Sequence, residues 1–167
     1  MEEFVQYIID HFYVGSHEMT LFFLAMLPIT ELRGAIPVGI LFFKLNPVVT
    51  YCLCCLGNMV PVIPLVLFFG KIEQWLMRHE FSNRFLQWYI ARVRRRTQAI
   101  ERYEMWGLAL FVAIPLPVTG AWTGSVAAFL MGIGWKKACV SIGCGVLIAG
   151  VVVTLLTVAG YRFYSFL

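Results

Sequence analysis

A glutamate and an arginine, Glu31 and Arg33, stand two residues apart in a stretch otherwise apolar enough to belong in lipid. Residues 27–39 read Leu-Pro-Ile-Thr-Glu-Leu-Arg-Gly-Ala-Ile-Pro-Val-Gly, with apolar runs on both sides. Each charge carried to a bilayer centre costs about 2.5–3.5 kcal/mol on insertion scales. A chain keeps such groups there only where they face protein, water or a ligand. The same stretch holds Pro28, Pro37, Gly34 and Gly39, residues that interrupt or weaken a continuous helix. A second stretch of this kind runs from Pro115 to Ser125.

The class follows from the flanks. The chain has 167 residues, of which 60% are apolar, and its mean hydropathy is +0.81. A soluble domain is roughly 45–50% apolar. The long apolar runs do not alternate as barrel strands would, so the expected class is an all-α integral membrane protein in a single domain. The runs cover residues 20–44, 46–70, 106–134 and 135–160. Residues 1–19 carry Glu2, Glu3, Asp10 and Glu18 without a Lys or Arg, unlike a cleavable signal peptide, and read as an interfacial helix. The five cysteines, Cys52, Cys54, Cys55, Cys139 and Cys144, lie inside apolar runs and read as small buried side chains rather than as a metal or redox site.

Between the apolar halves lie Lys71, Arg78, Arg84, Arg92, Arg94, Arg95, Arg96 and Arg102. The positive-inside rule assigns this linker, 71–105, to the cytoplasm and makes nucleic acid an unneeded partner. Phe81, Phe85, Trp88 and Tyr89 recur in it at helical spacing, as in a helix resting on anionic lipid.

The halves, 20–70 and 106–160, share one order: a Pro/Gly-broken run, a short polar break, then a full-length apolar segment; an aromatic tail, 161–167, follows. A shift of 89 residues lays Pro28-Ile29-Thr30 on Pro117-Val118-Thr119, Leu41 on Leu130 and Cys55 on Cys144. As one helix, residues 20–43 would be roughly 36 Å long and would cross a core of about 30 Å. As a hairpin, each arm of about eleven residues would reach roughly 16 Å, to the midplane. Proline disfavours helix at the residue before it and removes a hydrogen bond. Pro28, Gly34 and Pro37, and then Pro115, Pro117, Gly120 and Gly124, are accordingly the expected hairpin breaks. A hairpin also returns Lys136 and Lys137 to the cytoplasm, where a full crossing would place them outside. The expected architecture is two inverted repeats, each a re-entrant helical hairpin followed by a transmembrane helix, joined by the basic amphipathic linker.

At a broken tip Glu31 and Arg33 can face one cavity, which a regular helix would deny them. Arg33 offers a planar fork of donors suited to phosphate or carboxylate. Glu31, desolvated, is drawn toward its neutral form and becomes a proton carrier. A mutual ion pair that only fixes the hairpin is the plainer alternative. The second tip offers Thr119, Trp122, Thr123 and Ser125 as substrate contacts, with the positive end of a helix starting near Thr123. Gly120 and Gly124 equally suit close helix packing. Asn58 is a further candidate contact, or interhelical glue.

Residues 28–39, Gly57-Asn58, and Pro115-Leu116-Pro117-Val118-Thr119-Gly120-Ala121-Trp122-Thr123-Gly124 together resemble the small multidrug export protein family, over most of the chain from Met26 to about Gly150. The Glu31–Pro37 block carries most of the specificity. That family looks related to the wider DedA (SNARE-associated, VTT-domain) membrane proteins, whose paired re-entrant hairpins bear acidic and basic residues and some of which are linked to moving lipid phosphates. Further acidic and arginine positions of the DedA pattern have no counterpart here. The expected function is a transporter, proton-coupled, for an amphipathic or anionic substrate such as a lipid phosphate or drug-like molecule, bound between the two tips. A non-transporting scaffold or biogenesis factor is the alternative. No enzyme is expected: Ser125 has no evident base, and His11, His17 and His79 lie outside the apolar runs. Neither a cofactor nor a metal is implied. The expected partners are membrane lipids, the substrate and a second copy of the chain, and the expected place is a prokaryotic cytoplasmic membrane, crossed more than once.

The charge pattern predicts that the linker and the turn at 134–137 share the cytoplasmic side while Leu167 lies outside. Single cysteines labelled with an impermeant reagent in right-side-out cells should react at the C-terminus and not at position 136; the opposite pattern would rule out the inverted arrangement.

Overall fold

The computed structural model describes residues 15–68, 71, 101–115 and 120–166. The expected interfacial helix before residue 15, the aromatic linker helix around Phe81–Tyr89, and Pro117 and Thr119 lie outside the described residues. Every regular element among the described residues is helical: α1 (His17–Met26), α2 (Glu31–Pro37), a π-helical turn π1 (Val38–Phe42), α3 (Pro47–Met59), α4 (Glu101–Ala113), α5 (Ala121–Leu130) and α6 (Trp135–Phe166). They fall into two compact units, one of residues 1–61 and 146–167, the other of 62–145.

In the first unit, Ser16 caps α1 by accepting the Met19 N–H at 3.2 Å. The helix stops at Leu27, whose ψ of 140° is the extended conformation favoured before a proline. The chain turns through 27–30 and comes back as α2 and π1. His17 stacks on Phe43 with ring centroids 4.5 Å apart, and a Cβ built on Gly39 would sit 2.9 Å from Leu21 Cδ2. These two contacts pair the arms residue for residue, so 17–43 is an antiparallel helical hairpin with its tip at 27–30. Gly34 and Pro37, expected at breaks, are both helical in the return arm. Pro37 is accommodated because the helix widens into π1 directly after it. There Phe43 N–H reaches the Val38 carbonyl five residues back, at 3.1 Å.

Asn46 caps α3 by accepting the Val48 N–H at 2.9 Å, and Pro47 occupies the first turn, where its missing N–H costs nothing. α3 runs parallel to α1: Gly39 brings Leu21 and Thr50 to one level, and further along a Cβ on Gly57 would lie 2.4 Å from the Phe22 carbonyl oxygen. The later part of α6 packs on the other side of α3. There Gly150 faces Tyr51 and Cys55, and the Tyr51 hydroxyl donates to the Leu147 carbonyl at 3.3 Å.

The second unit is also built on close glycine contacts. α4 and α5 pack together, with Gly124 against Val112 at 2.6 Å for a built Cβ. A turn through Gly132, at φ 70°, where glycine carries no steric penalty, leads into α6. Gly145 then faces the Ala109 carbonyl oxygen and the Val112 side chain at 2.6 Å each. Gly57 and Gly145 thus do the same thing. Each stands ten residues into its long helix, against a backbone carbonyl of the short first helix and the side chain three residues on.

Two helices are long and apolar enough to cross a membrane, Pro47–Phe68 with 22 residues and Trp135–Phe163 with 29. Their most apolar windows are only 33% and 39% buried, which is not how a soluble protein treats a core helix. Leu56, Leu155 and Leu156 stand more than half exposed. Such an exterior suits lipid, where close packing rather than hydrophobic burial holds helices together. The ten residues of α1 and of α5 make helices of about 15 Å, half of a hydrocarbon core.

Gly57→Ala should therefore lower stability by about 1–3 kcal/mol, because the methyl meets backbone rather than a side chain that can swing away. Gly160, in α6 with open space around it, should tolerate alanine or gain up to about 1 kcal/mol. Thermal unfolding of both variants in detergent checks the contrast.

Candidate functional site

The first hairpin tip is closed by its own hydrogen bonds. Leu27 N–H and the Thr30 hydroxyl both donate to the Leu24 carbonyl. Glu31 N–H donates to Leu27 at 2.9 Å, and Gly34 N–H to Thr30 at 2.8 Å. At the start of the return arm stands Glu31, with φ 45°, a left-handed conformation that costs a non-glycine residue about 1–2 kcal/mol. Its side chain is only 7% exposed. Position and burial thus press on one residue: a carboxyl group at the first turn of a helix, out of water, on strained backbone.

Arg33 is half-buried in the same helix. The break is 27–30, so of the expected non-helical tip only the turn is irregular: Glu31 is the first residue of the returning helix and Arg33 follows within it. Their charges still attract. Pro28 lies in the turn itself.

At the second break α4 ends at Ala113, Pro115 follows in irregular chain, and Gly120 caps α5 in an extended conformation. Gly120 N–H donates to the Thr123 hydroxyl at 2.8 Å, and that hydroxyl donates to the Gly120 carbonyl at 3.2 Å. Ser125 is fully buried and donates to the Ala121 carbonyl at 2.8 Å. Both hydroxyls are thus engaged in the first turn of α5, while Gly124 serves the close contact with Val112. Trp122 is half-buried beside them.

α3 supplies what the sequence pointed to least. Asn58 is 1% exposed, and neither atom of its amide has a hydrogen-bond partner. Thr50, two turns earlier and fully buried, has an unpartnered hydroxyl. Cys54 lies between them, also fully buried. Only Asn58 stood out in the sequence; the four-residue spacing of Thr50, Cys54 and Asn58 was the signal for the rest. Cys52 is exposed and Cys55 buried against Gly150, so this pair does not converge. In the second unit a cavity of about 320 Å³ lies at the far end of α5 from its N-terminus, lined by Glu104, Trp135, Lys136 and Lys137 among others. Lys136 Nζ sits 5.4 Å from the Trp135 ring centroid there.

Thr123→Val should cost about 1 kcal/mol by removing the hydroxyl that serves the N-terminus of α5, whereas Ser125→Ala, which leaves the backbone bonds of the helix intact, should cost less. Paired melting curves read the difference.

The comparisons with known proteins bear on the same residues. The model of the family described as "Putative small multi-drug export protein" matches residues 31–152, a span that opens on Glu31, directly after the first break, and takes in the second. No curated protein and no solved structure matches the chain. With well over half of its length inside that match and two helices long and apolar enough to cross a bilayer, the chain is a membrane protein of the small multi-drug export protein family.

Proposed function

We propose that the protein is a proton-coupled secondary transporter for an amphipathic or anionic substrate, a lipid phosphate or drug-like molecule. The observation that carries this reading is Glu31: a carboxyl group 7% exposed, at φ 45°, beside a hairpin tip in an apolar chain. Strain and burial of a charge at one residue are costs that a purely structural position would shed, and such residues concentrate at working sites. Glu31 is the proton carrier. Arg33, half-buried two residues on, grips the anionic part of the substrate through its donor fork.

The rest of the proposal follows from the hairpins. Arms of about 15 Å suit re-entrant segments whose tips reach the bilayer midplane. With one long helix after each, the two halves are inverted repeats in a multi-pass protein of a prokaryotic cytoplasmic membrane, as in the DedA group. Asn58 in the first unit, and Thr119 and Trp122 at the second break, are further proposed substrate contacts, whereas Thr123 and Ser125 spend their hydroxyls within α5. Lipids are the protein's surroundings, a second copy thickens the wall, and no covalent chemistry is involved.

Flux measured in liposomes tests the assignment. Glu31→Gln should fold and bind substrate but lose transport driven by a pH difference; unchanged flux would leave Glu31 a structural residue. Arg33→Gln should weaken binding about 10–100-fold, the worth of a charge-assisted hydrogen bond, and Arg33→Lys should be impaired too because it loses the fork. Melting curves should rank the variants the other way. Arg33→Gln leaves a carboxyl that can protonate, whereas loss of Glu31 strands a cation. A well-folded Arg33→Gln protein with normal binding and flux would overturn the anionic-substrate reading.

A further inference from the structure

The unpartnered groups of α3 fall on one side of that helix. At about 3.6 residues per turn, Thr50, Cys54 and Asn58 follow one another with a drift of about 40° per step. That side lies between two packed directions. One is set by Gly57 against the Phe22 carbonyl of α1, the other by Tyr51 and Cys55 against Gly150 of α6. On the opposite flank of the Gly57 line, Val49 and Val60 are exposed, so among the described residues no helix covers α3 there. Among the described residues of the unit, the α2–π1 arm is what remains to cover Thr50, Cys54 and Asn58, and Gly39 of that arm meets Thr50 directly.

The arm and α3 are antiparallel. Counting from the Gly39–Thr50 contact, Ala35 stands level with Cys54 and Glu31 level with Asn58, eight residues or about 12 Å further in. Glu31, Ala35 and Gly39 are all buried and share one face of the arm at four-residue spacing. Two stripes thus oppose each other, and the arm's is small except at Glu31. Yet the Asn58 amide and the Thr50 hydroxyl bond to nothing. Leaving such groups dry costs about 1–3 kcal/mol each. An amide presents donors and an acceptor together, as a hydroxyl does; a metal ion would answer only the oxygen, whereas water answers both.

We infer that the groove between α2 and α3 is a hydrated path that brings protons to Glu31, entering past Thr50 and Cys54 and ending at water held by Asn58. The inference rests on Glu31 as the proton carrier. Polar residues stand at the open end of the hairpin: His17, stacked on Phe43, is followed by Glu18, and Lys44 follows Phe43. The Glu18 carboxyl is held below the usual range by a backbone N–H and by Ser16. The other ionisable groups on the elements packed here are Arg33 on the same helix as Glu31, Cys54 beside the groove, and Tyr51, Cys52 and Cys55 on other faces of α3.

Cys54 is a native reporter. In a protein keeping only this cysteine, reconstituted in liposomes, a small hydrophilic methanethiosulfonate should label it at least about tenfold faster than a single cysteine at Val153→Cys, a buried site on α6, because the attacking thiolate forms in water. Asn58→Leu or Thr50→Val should slow Cys54 labelling by a similar factor while each variant keeps a cooperative melt. Labelling of folded protein as slow as at the Val153 site, or a rate unchanged in both variants, would overturn the path. Flux separates this result from the transport reading. A dry Cys54 in a protein whose pH-driven flux needs Glu31 removes the groove and leaves the carrier. A wet Cys54 with flux indifferent to Glu31→Gln removes the carrier, and with it the groove's role in bringing protons to Glu31.

Discussion

In hydrocarbon a backbone N–H or C=O has no water to fall back on, so a membrane helix can be broken only where protein supplies the missing partners. The first hairpin meets this demand at 27–30 with the Leu24 carbonyl, which takes both Leu27 N–H and the Thr30 hydroxyl, and with bonds from Glu31 and Gly34 back into the turn. The second break uses the Thr123 side chain for the Gly120 N–H. Pro37 shows the same requirement within a helix: the missing donor is absorbed by a change of pitch to π1. The position of Glu31 is a consequence. The helix must restart directly after the turn, and the residue that restarts it takes φ 45°.

Sealed breaks still need to be held against neighbours, and between lipid-bathed helices apolar burial gives little drive. Glycine does this work in both units. Gly39, Gly57 and Gly150 let the first hairpin and α6 close on α3, and Gly124 and Gly145 do so around Val112. Distances of 2.4–2.9 Å to a built Cβ mean that these approaches exist only without a side chain. One contact recurs: a glycine ten residues into each long helix stands against a backbone carbonyl, of Phe22 in α1 for Gly57 and of Ala109 in α4 for Gly145. Such a contact asks only for a small residue and an accessible carbonyl, and a backbone carbonyl leaves no trace in the sequence.

The polar groups divide by how they are satisfied. Thr20, Thr123, Ser125 and Thr157 return their hydroxyls to nearby carbonyls and are complete within their own helices or caps. Thr50, Asn58, Ser141 and Thr154 are not. The first group includes two residues that the sequence offered as ligands, and the second includes three that it passed over. Function is better sought where the local accounting fails to close.

The sequence by itself determined the class, the two broken runs, the long apolar helices after them and the isolation of Glu31 and Arg33 in apolar surroundings. Each of these follows from composition, proline chemistry and the cost of charge in lipid, which act along the chain and need no partner. It also placed Pro28 and Pro115 at interruptions. Only the tertiary structure decided that the first tip is 27–30, that Gly34 and Pro37 ride inside a returning helix, and that Glu31 is buried while Arg33 is half-buried. Only it showed Thr123 and Ser125 bonded within α5, and Thr50 and Asn58 unpartnered on one side of α3. The reason is that a hydrogen bond's partner, and the neighbour against which a glycine closes, are set by which helices lie side by side. That depends on contacts between residues far apart in sequence, such as Gly39 with Thr50 and Gly150 with Tyr51, which no local pattern encodes.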